Sequence, residues 1–248
     1  MNSWFSSRGA PSPWAARVYC FAPAGGNART FLDWQAALGD EAEIVAVSAP
    51  RGAGAAPRSI DELIDGAVAA ITEQLDDRPT YLFGHSMGGL VAFEVARRMR
   101  DVPALRQLIA SGLAAPSLLP SERVRELSRL EGKQFVDGVA FFGGLPPEFV
   151  AEEELHDVLL PGIIADFRIA ASYVYRPEPP LAIGVSLLNG RQDPHVGPTQ
   201  LAPWIHECVT PPAQHWAEGG HFYFEGQPSA ATDLLLSVIR ADQHVEVI

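Results

Sequence analysis

The chain has 248 residues, 47% apolar and 19% charged, a globular composition that neither intrinsic disorder nor a coiled coil fits. Its formal net charge of −12 argues against a general nucleic-acid binder or an anionic-membrane protein, since both need a positive surface. Two cysteines, Cys20 and Cys208, are too few for a disulfide framework and predict packed thiols in a reducing compartment.

The first predicted strand is the apolar run Arg17 to Ala22, which leads into the small-residue loop Phe21-Ala22-Pro23-Ala24-Gly25-Gly26. No secretory signal precedes it, and the longest uncharged stretch, 107–121, is broken by Pro116 and Pro120, so the expectation is a soluble cytoplasmic protein, monomeric by default. A second strand, Glu43 to Ser48, comes before a helix whose start is marked by a capping box, Ser59 with Glu62. Ile60, Leu63, Ile64, Ala67 and Ile71 then recur at one-face spacing. Thr80 to Gly84 is the third strand, Leu90 to Met99 a helix, and Leu105 to Ser111 the fourth strand.

The rhythm breaks over residues 121–175, which read as successive helical pieces without a strand and are predicted to be an insertion within one domain spanning 1–248. Two readings stand for its apolar residues: the core of a helical subdomain, or the inner face of a lid over a substrate channel. On the second, Phe141, Phe142, Leu145 and Phe167 are the substrate-contact candidates. A fifth strand, Ile183 to Asn189, and a possible last one around His215 to Ala217 close the series. Strands apolar throughout, alternating with helices, predict an α/β fold with a mainly parallel sheet covered on both faces.

The strongest local signal is Gly84-His85-Ser86-Met87-Gly88-Gly89, lying between a predicted strand and a predicted helix. A serine on such a turn stands exposed above the sheet, and small neighbours allow the sharp bend. A serine hydroxyl needs a base. Of seven histidines, His221 in Gly219-Gly220-His221-Phe222 falls where this order of elements delivers one, late in the chain after a last strand. His85 is expected to point away from the serine, and His195, His206 and His215 to be solvated. Asp193, on the loop after the fifth strand, is the candidate acid that would orient the imidazole, with Glu218 as its nearest rival. The oxyanion that forms needs two donors: the backbone N–H of Met87, and that of Ala24, since Pro23 has none. No H-E-x-x-H spacing occurs and the cysteines are far apart, so neither a metal nor an organic cofactor is expected.

These residues resemble the type II thioesterases that accompany polyketide synthases and nonribosomal peptide synthetases, within the α/β-hydrolase superfamily. The resemblance runs over nearly the whole chain: the Phe21 to Gly26 loop, Ser48-Ala49-Pro50-Arg51-Gly52, the Gly84 to Gly89 elbow, Phe142 to Glu148, the Leu160 to Tyr175 stretch, Asp193-Pro194 and Gly219 to Phe222. It implies removal of acyl groups from the phosphopantetheine arm of acyl or peptidyl carrier proteins, in trans, by Ser86, Asp193 and His221 with Met87 and Ala24 at the oxyanion hole. The chain departs from the family's Phe-Pro-x-Ala-Gly-Gly loop by carrying Ala22 and Pro23 in the second and third places. A generic serine esterase, a chain-releasing thioesterase and a non-catalytic carrier-binding protein are the alternatives. Between Arg97 and Lys133 eight basic residues meet four acids, and part of this segment is a candidate surface for an acidic carrier protein.

Overall fold

The structure, a computed structural model, describes residues 4–9, 16–50, 56–140, 153–225 and 227–245. Its strands are β1 (Phe5–Ser7), β2 (Ala16–Phe21), β3 (Ala42–Val47), β4 (Thr80–His85), β5 (Leu105–Ser111), β6 (Gly184–Gly190) and β7 (Ala213–Ala217). They form one sheet in the order β1-β3-β2-β4-β5-β6-β7. β1 runs antiparallel to β3, and every other neighbouring pair is parallel. The five strands read from apolar runs are all present, as is the last one around His215, whereas β1 was not foreseen. It is three residues long and its sequence, Phe-Ser-Ser, carries no apolar run.

Every residue of β2, β3 and β4 is buried, as a sheet covered on both faces requires. Successive side chains divide between two cores. Tyr19 and Phe21 face one with Ile64, Ile71, Phe93 and Trp204, while Val18 and Cys20 face the other with Phe31, Trp34, Leu235 and Ile239. The first core belongs to α2 (Ile60–Gln74) and α3 (Met87–Arg98), the second to α1 (Gln35–Leu38) and α8 (Ser229–Val245). At the start of α2 the Ser59 hydroxyl accepts from the Glu62 N–H at 3.2 Å, but the Glu62 carboxylate reaches the Arg58 N–H at 2.9 Å, so the reciprocal arm of the predicted box lands one residue early.

Between β5 and β6 lie α4 (Glu122–Leu127), α5 (Gly132–Val139) and α6 (Glu153–Ala171), and between β6 and β7 the short α7 (Pro198–Leu201). α4, α5 and α6 share a small core of their own, with Leu127, Phe135, Val136, Leu160, Ile164 and Phe167. The backbone is crowded where β4 passes into α3. A Cβ on Gly88 would stand 2.2 Å from the Phe21 carbonyl oxygen, and one on Gly84 would stand 2.2 Å from that of Gly88. Gly88→Ala is therefore expected to lower unfolding stability by about 1–3 kcal/mol in urea melts. The control Gly197→Ala, whose nearest neighbour would be 3.4 Å away, is expected to change it by less than about 0.5 kcal/mol.

Candidate active site

Ser86 occupies the corner between β4 and α3 with φ +53° and ψ −121°, the one non-glycine residue of positive φ among the described residues. Such a conformation costs on the order of 1–3 kcal/mol and persists only where its surroundings hold it. Here the Ser86 N–H donates to the Ser111 carbonyl at 2.8 Å, while its own carbonyl accepts from Gly89 at 2.9 Å and Leu90 at 3.1 Å. Its side chain is thereby placed at the mouth of α3, where the helix presents its positive end.

Asp193 and His221 come from the loops after β6 and β7 and meet as a buried pair. Their side chains are 0% and 3% exposed, and Asp193 Oδ2 lies 2.7 Å from His221 Nδ1. Asp193 Oδ1 accepts from the backbone N–H of His195 at 2.8 Å and of Val196 at 3.3 Å. Burial acts to raise the Asp193 pKa, but the hydrogen bond and charge of His221, joined by the His195 N–H, hold it below the ordinary aspartate value. An ionised carboxylate only accepts, so Nδ1 carries the proton and Nε2 is the basic nitrogen of the ring. Glu218, the rival acid, is exposed and pairs with Arg191 at 3.0 Å.

Two further histidines pack against His221. The His85 ring centroid is 4.8 Å away and that of His195 is 5.5 Å away. His85 is fully buried on the far side of the strand from Ser86; its Nδ1 lies 2.9 Å from Ser111 Oγ, which lies 2.7 Å from the Tyr223 hydroxyl. Burial, reinforced by His221, pushes the His85 pKa well below the ordinary histidine value, and burial with His221 lowers that of His195. Both are therefore neutral neighbours of the imidazole that pairs with Asp193. His195, read as solvated, is half-buried in the cavity wall, its ring edge-on to that of His221. Sequence reasoning missed Ser111 and Tyr223, which lie 112 residues apart; only the pairing of β5 beside β4 brings the first under the elbow.

Ser86, Met87, Ala24 and His221 all line one cavity, together with Leu113, Val124, Ile163 and Phe167. Neither the Ala24 nor the Met87 N–H donates to another backbone group among the described residues, which leaves both available beside the serine. Phe167 is 7% exposed, packs edge-on against Phe135 at 5.3 Å and also lines the cavity, so it serves the insertion's core and the cavity wall at once. Phe141, Phe142 and Leu145, like Arg51 and Gly52, lie outside the described residues. Among the described residues no group of His, Cys, Asp and Glu side chains could hold a metal ion, and no helix is long and apolar enough to cross a membrane.

Residues 16–241 match the family described as Thioesterase domain. The chain is 32% identical over 219 residues to thioesterase PikA5 of Streptomyces venezuelae, covering 86% of this chain and 77% of that protein. Its fold is similar to that of the type II thioesterase BorB from the borrelidin biosynthetic cluster, at TM-score 0.79 and 30% identity over 96% of each chain. It is equally similar to YbtT, the type II thioesterase of the yersiniabactin pathway, at TM-score 0.81 and 29% identity over 98% of this chain and 99% of that one. YbtT has also been solved with a serine replaced by alanine. The sheet and its flanking helices are accordingly those of an α/β-hydrolase fold.

The depressed His85 pKa makes stability depend on pH with a definite sign. An unfolded His85 takes up a proton as pH falls through about 6.5, whereas the folded one does not, so its contribution is complete above that pH and is lost as the pH falls toward the folded value. Unfolding free energy is expected to decline below about pH 6.5 by up to ~1.4 kcal/mol per pH unit for this group. In His85→Gln the same denaturation series should be flatter.

Proposed function

This chain belongs to the thioesterase family of hydrolases, and from that membership we propose that it is a type II thioesterase with Ser86, Asp193 and His221 as its catalytic triad. Its substrates are acyl groups held as thioesters on the phosphopantetheine arm of acyl or peptidyl carrier proteins, and its role is to clear them in trans. The names of its relatives support the substrate class, since BorB and YbtT are type II thioesterases of biosynthetic assembly pathways. The observation that carries the reading is the buried Asp193–His221 pair opening into the apolar cavity that Ser86 also lines.

In the reaction Ser86 Oγ attacks the thioester carbonyl carbon while His221 Nε2 takes the hydroxyl proton. Negative charge gathers on the former carbonyl oxygen, to which the N–H groups of Met87 and Ala24 donate. The intermediate collapses by breaking the carbon–sulfur bond, and the imidazolium returns its proton to the departing thiolate, an easy leaving group at pKa about 8.5. Water, deprotonated by the same nitrogen, then attacks the acyl-serine and frees the acid. Asp193 steadies the imidazolium in both halves, and with His85 and His195 neutral neither of these neighbouring rings adds a positive charge against it. No metal or cofactor enters this scheme. Residues 121–175 act as a helical lid within a single domain, with Phe167 presenting its ring to the acyl chain. Cys20 and Cys208 are both buried and unbridged, which supports work in the reducing cytoplasm.

Most of the basic residues of the 97–133 segment are taken up by acidic partners. Arg97 and Arg100 pair with Glu178, Arg98 with Asp65, Arg106 with Asp242, Arg123 with Glu126 and Lys133 with Asp137. Arg125 and Arg129 are exposed and form no ion pair among the described residues. Arg125 lies on α4, next to the cavity-lining Val124, so these two arginines stand by the site where an acidic carrier would rest while its arm enters.

Ser86→Ala is expected to lower kcat/KM on a panel of acyl carrier proteins by at least ~10⁴-fold. Full activity in that variant would remove the serine mechanism, and faster turnover of small esters than of carrier thioesters by the wild type would make it a generic esterase. Arg125→Glu with Arg129→Glu should raise the apparent KM for acyl carrier protein about tenfold at low salt while leaving that for a small acyl thioester within about twofold. Equal effects on the two substrates would discard the docking assignment.

A further inference from the structure

Two segments distant in the chain touch beside Ser86. The loop after β2 turns at Pro23 to Gly26, where the Gly26 N–H donates to the Pro23 carbonyl at 2.9 Å and Gly25 takes φ +72°. A positive φ at the third position of a four-residue turn marks type II, and the peptide that distinguishes this type from type I is the middle one, between Ala24 and Gly25. The N–H of that peptide donates to Asp166 Oδ2 at 2.8 Å, across 141 residues of sequence. Asp166 lies on α6, one turn after Ile163, and a Cβ added to Gly25 would come within 2.9 Å of Ile163 Cγ1. Helix α6 thus seats on the turn through an apolar contact and a charge-assisted hydrogen bond made by residues three apart on the same face.

A peptide unit is planar and trans, so with its N–H directed at Asp166 the Ala24 carbonyl oxygen points the opposite way. Were this peptide to flip, that oxygen would face a carboxylate, which can only accept. The carboxylate therefore selects one of the two turn types. Ala24 is then held between two tied peptides: the following one by this bond and the preceding one, which carries its own N–H and the donor role assigned above, through the Pro23 carbonyl that accepts from Gly26. We propose that Asp166 is a positioning residue of the oxyanion hole, holding the Ala24–Gly25 peptide so that the hole has its working geometry only while α6 is seated on the turn. The inference rests on the reading of Ala24 as an oxyanion donor.

The same contact lies in the partition between two cavities. Ile163, Phe167 and Ala170 of α6 face the cavity of Ser86, whereas Gly162, Ala165 and Ile169 face a second one, and Pro23, Gly25 and Gly26 border both. Asp166, on the second side, reaches into the wall rather than into the space where an acyl chain would lie. Its removal should accordingly affect the transition state and leave ground-state binding alone.

The test compares wild type, Asp166→Ala and Asp166→Asn, the last of which keeps an oxygen able to accept from Gly25. Turnover of an acyl thioester is measured alongside binding of two probes: an alkyl boronic acid, which forms a tetrahedral adduct with a nucleophilic serine, and a thioether analogue of the substrate, which cannot react. Asp166→Ala is expected to lower kcat about 10- to 100-fold with little change in KM, and to weaken the boronic acid by a similar factor while thioether affinity stays within twofold. Asp166→Asn should recover most of the loss. An unchanged kcat, or equal weakening of both probes, would overturn the proposal. Should Asp166→Ala not fold, as judged by circular dichroism, Asp166→Leu removes the acceptor at nearly constant shape and is read by the same criteria. A wild type that neither turns over the thioester nor binds the boronic acid more tightly than Ser86→Ala would instead sink the triad reading.

Discussion

One backbone conformation organises this molecule: the left-handed corner at Ser86. A serine held there cannot relax without breaking the bond from its N–H to the Ser111 carbonyl or unwinding the first turn of α3, whose Gly89 and Leu90 N–H groups converge on the Ser86 carbonyl. The corner also demands that three strands end together. Gly88 rests on the carbonyls that close β2, Ser111 ends β5, and the paired register of β4 with both makes their last residues level. The loop that follows β2 is thus delivered beside the N–H of Met87. Ala24 and Met87, the proposed oxyanion donors from segments some sixty residues apart, come to line the cavity of Ser86 because a parallel sheet aligns its carboxyl ends.

The same edge supplies His221, the proposed base. β6 and β7 end side by side, and Gly190 lies so close to the Gly220 carbonyl that a Cβ would approach it to 2.1 Å, which draws the loop bearing His221 over the loop bearing Asp193. Below this pair the protein places an imidazole in place of an apolar ring. His85 packs at a tilt against His221 and is tied through Ser111 to Tyr223, two residues after His221. The tie joins the elbow strand, β5 and the histidine loop through side chains. Because burial keeps His85 uncharged, the arrangement gains a polar anchor without setting a cation against the imidazolium that catalysis creates.

How much of this was legible depends on where each signal resides. The covered strands announce themselves by unbroken apolar runs, and the Ser86, Asp193 and His221 assignments follow from chain order on such a sheet. β1 escaped because an edge strand of three residues, two of them serine, needs no apolar run. The surroundings of His195 are set by residues that only the fold assembles, so its half-burial had no local trace. The basic surplus between Arg97 and Lys133 misled for a related reason: Asp65, Glu178 and Asp242, which take up Arg98, Arg100 and Arg106, all lie outside that window. Charge counted along a chain says little about charge exposed on a surface.

The attachment of the insertion to the body is uneven, and that unevenness bears on the cavity. Beyond α6 the Tyr173 hydroxyl donates to Glu94 at 2.7 Å, Glu94 pairs with the almost fully buried Arg97 at 2.8 Å, and Arg97 also donates to the Arg176 carbonyl at 2.6 Å. Glu94 and Arg97 belong to α3, the helix that begins at Ser86. Lifting the end of α6 would break the Tyr173 and Arg176 bonds to this buried pair within α3 and leave its polar atoms short of partners, so the carboxyl end of α6 is fixed relative to the serine. The Ser172 hydroxyl oxygen also accepts from the Ile60 N–H at 3.2 Å. Toward its middle α6 touches the body through Ile163 and Asp166 on the Gly25 turn, and otherwise packs on α4 and α5. The wall formed by Phe167 and Ala170 therefore sits next to the rigid end, held against the helix that begins at Ser86, while Ile163 and Asp166 meet the loop that carries the proposed oxyanion donor Ala24.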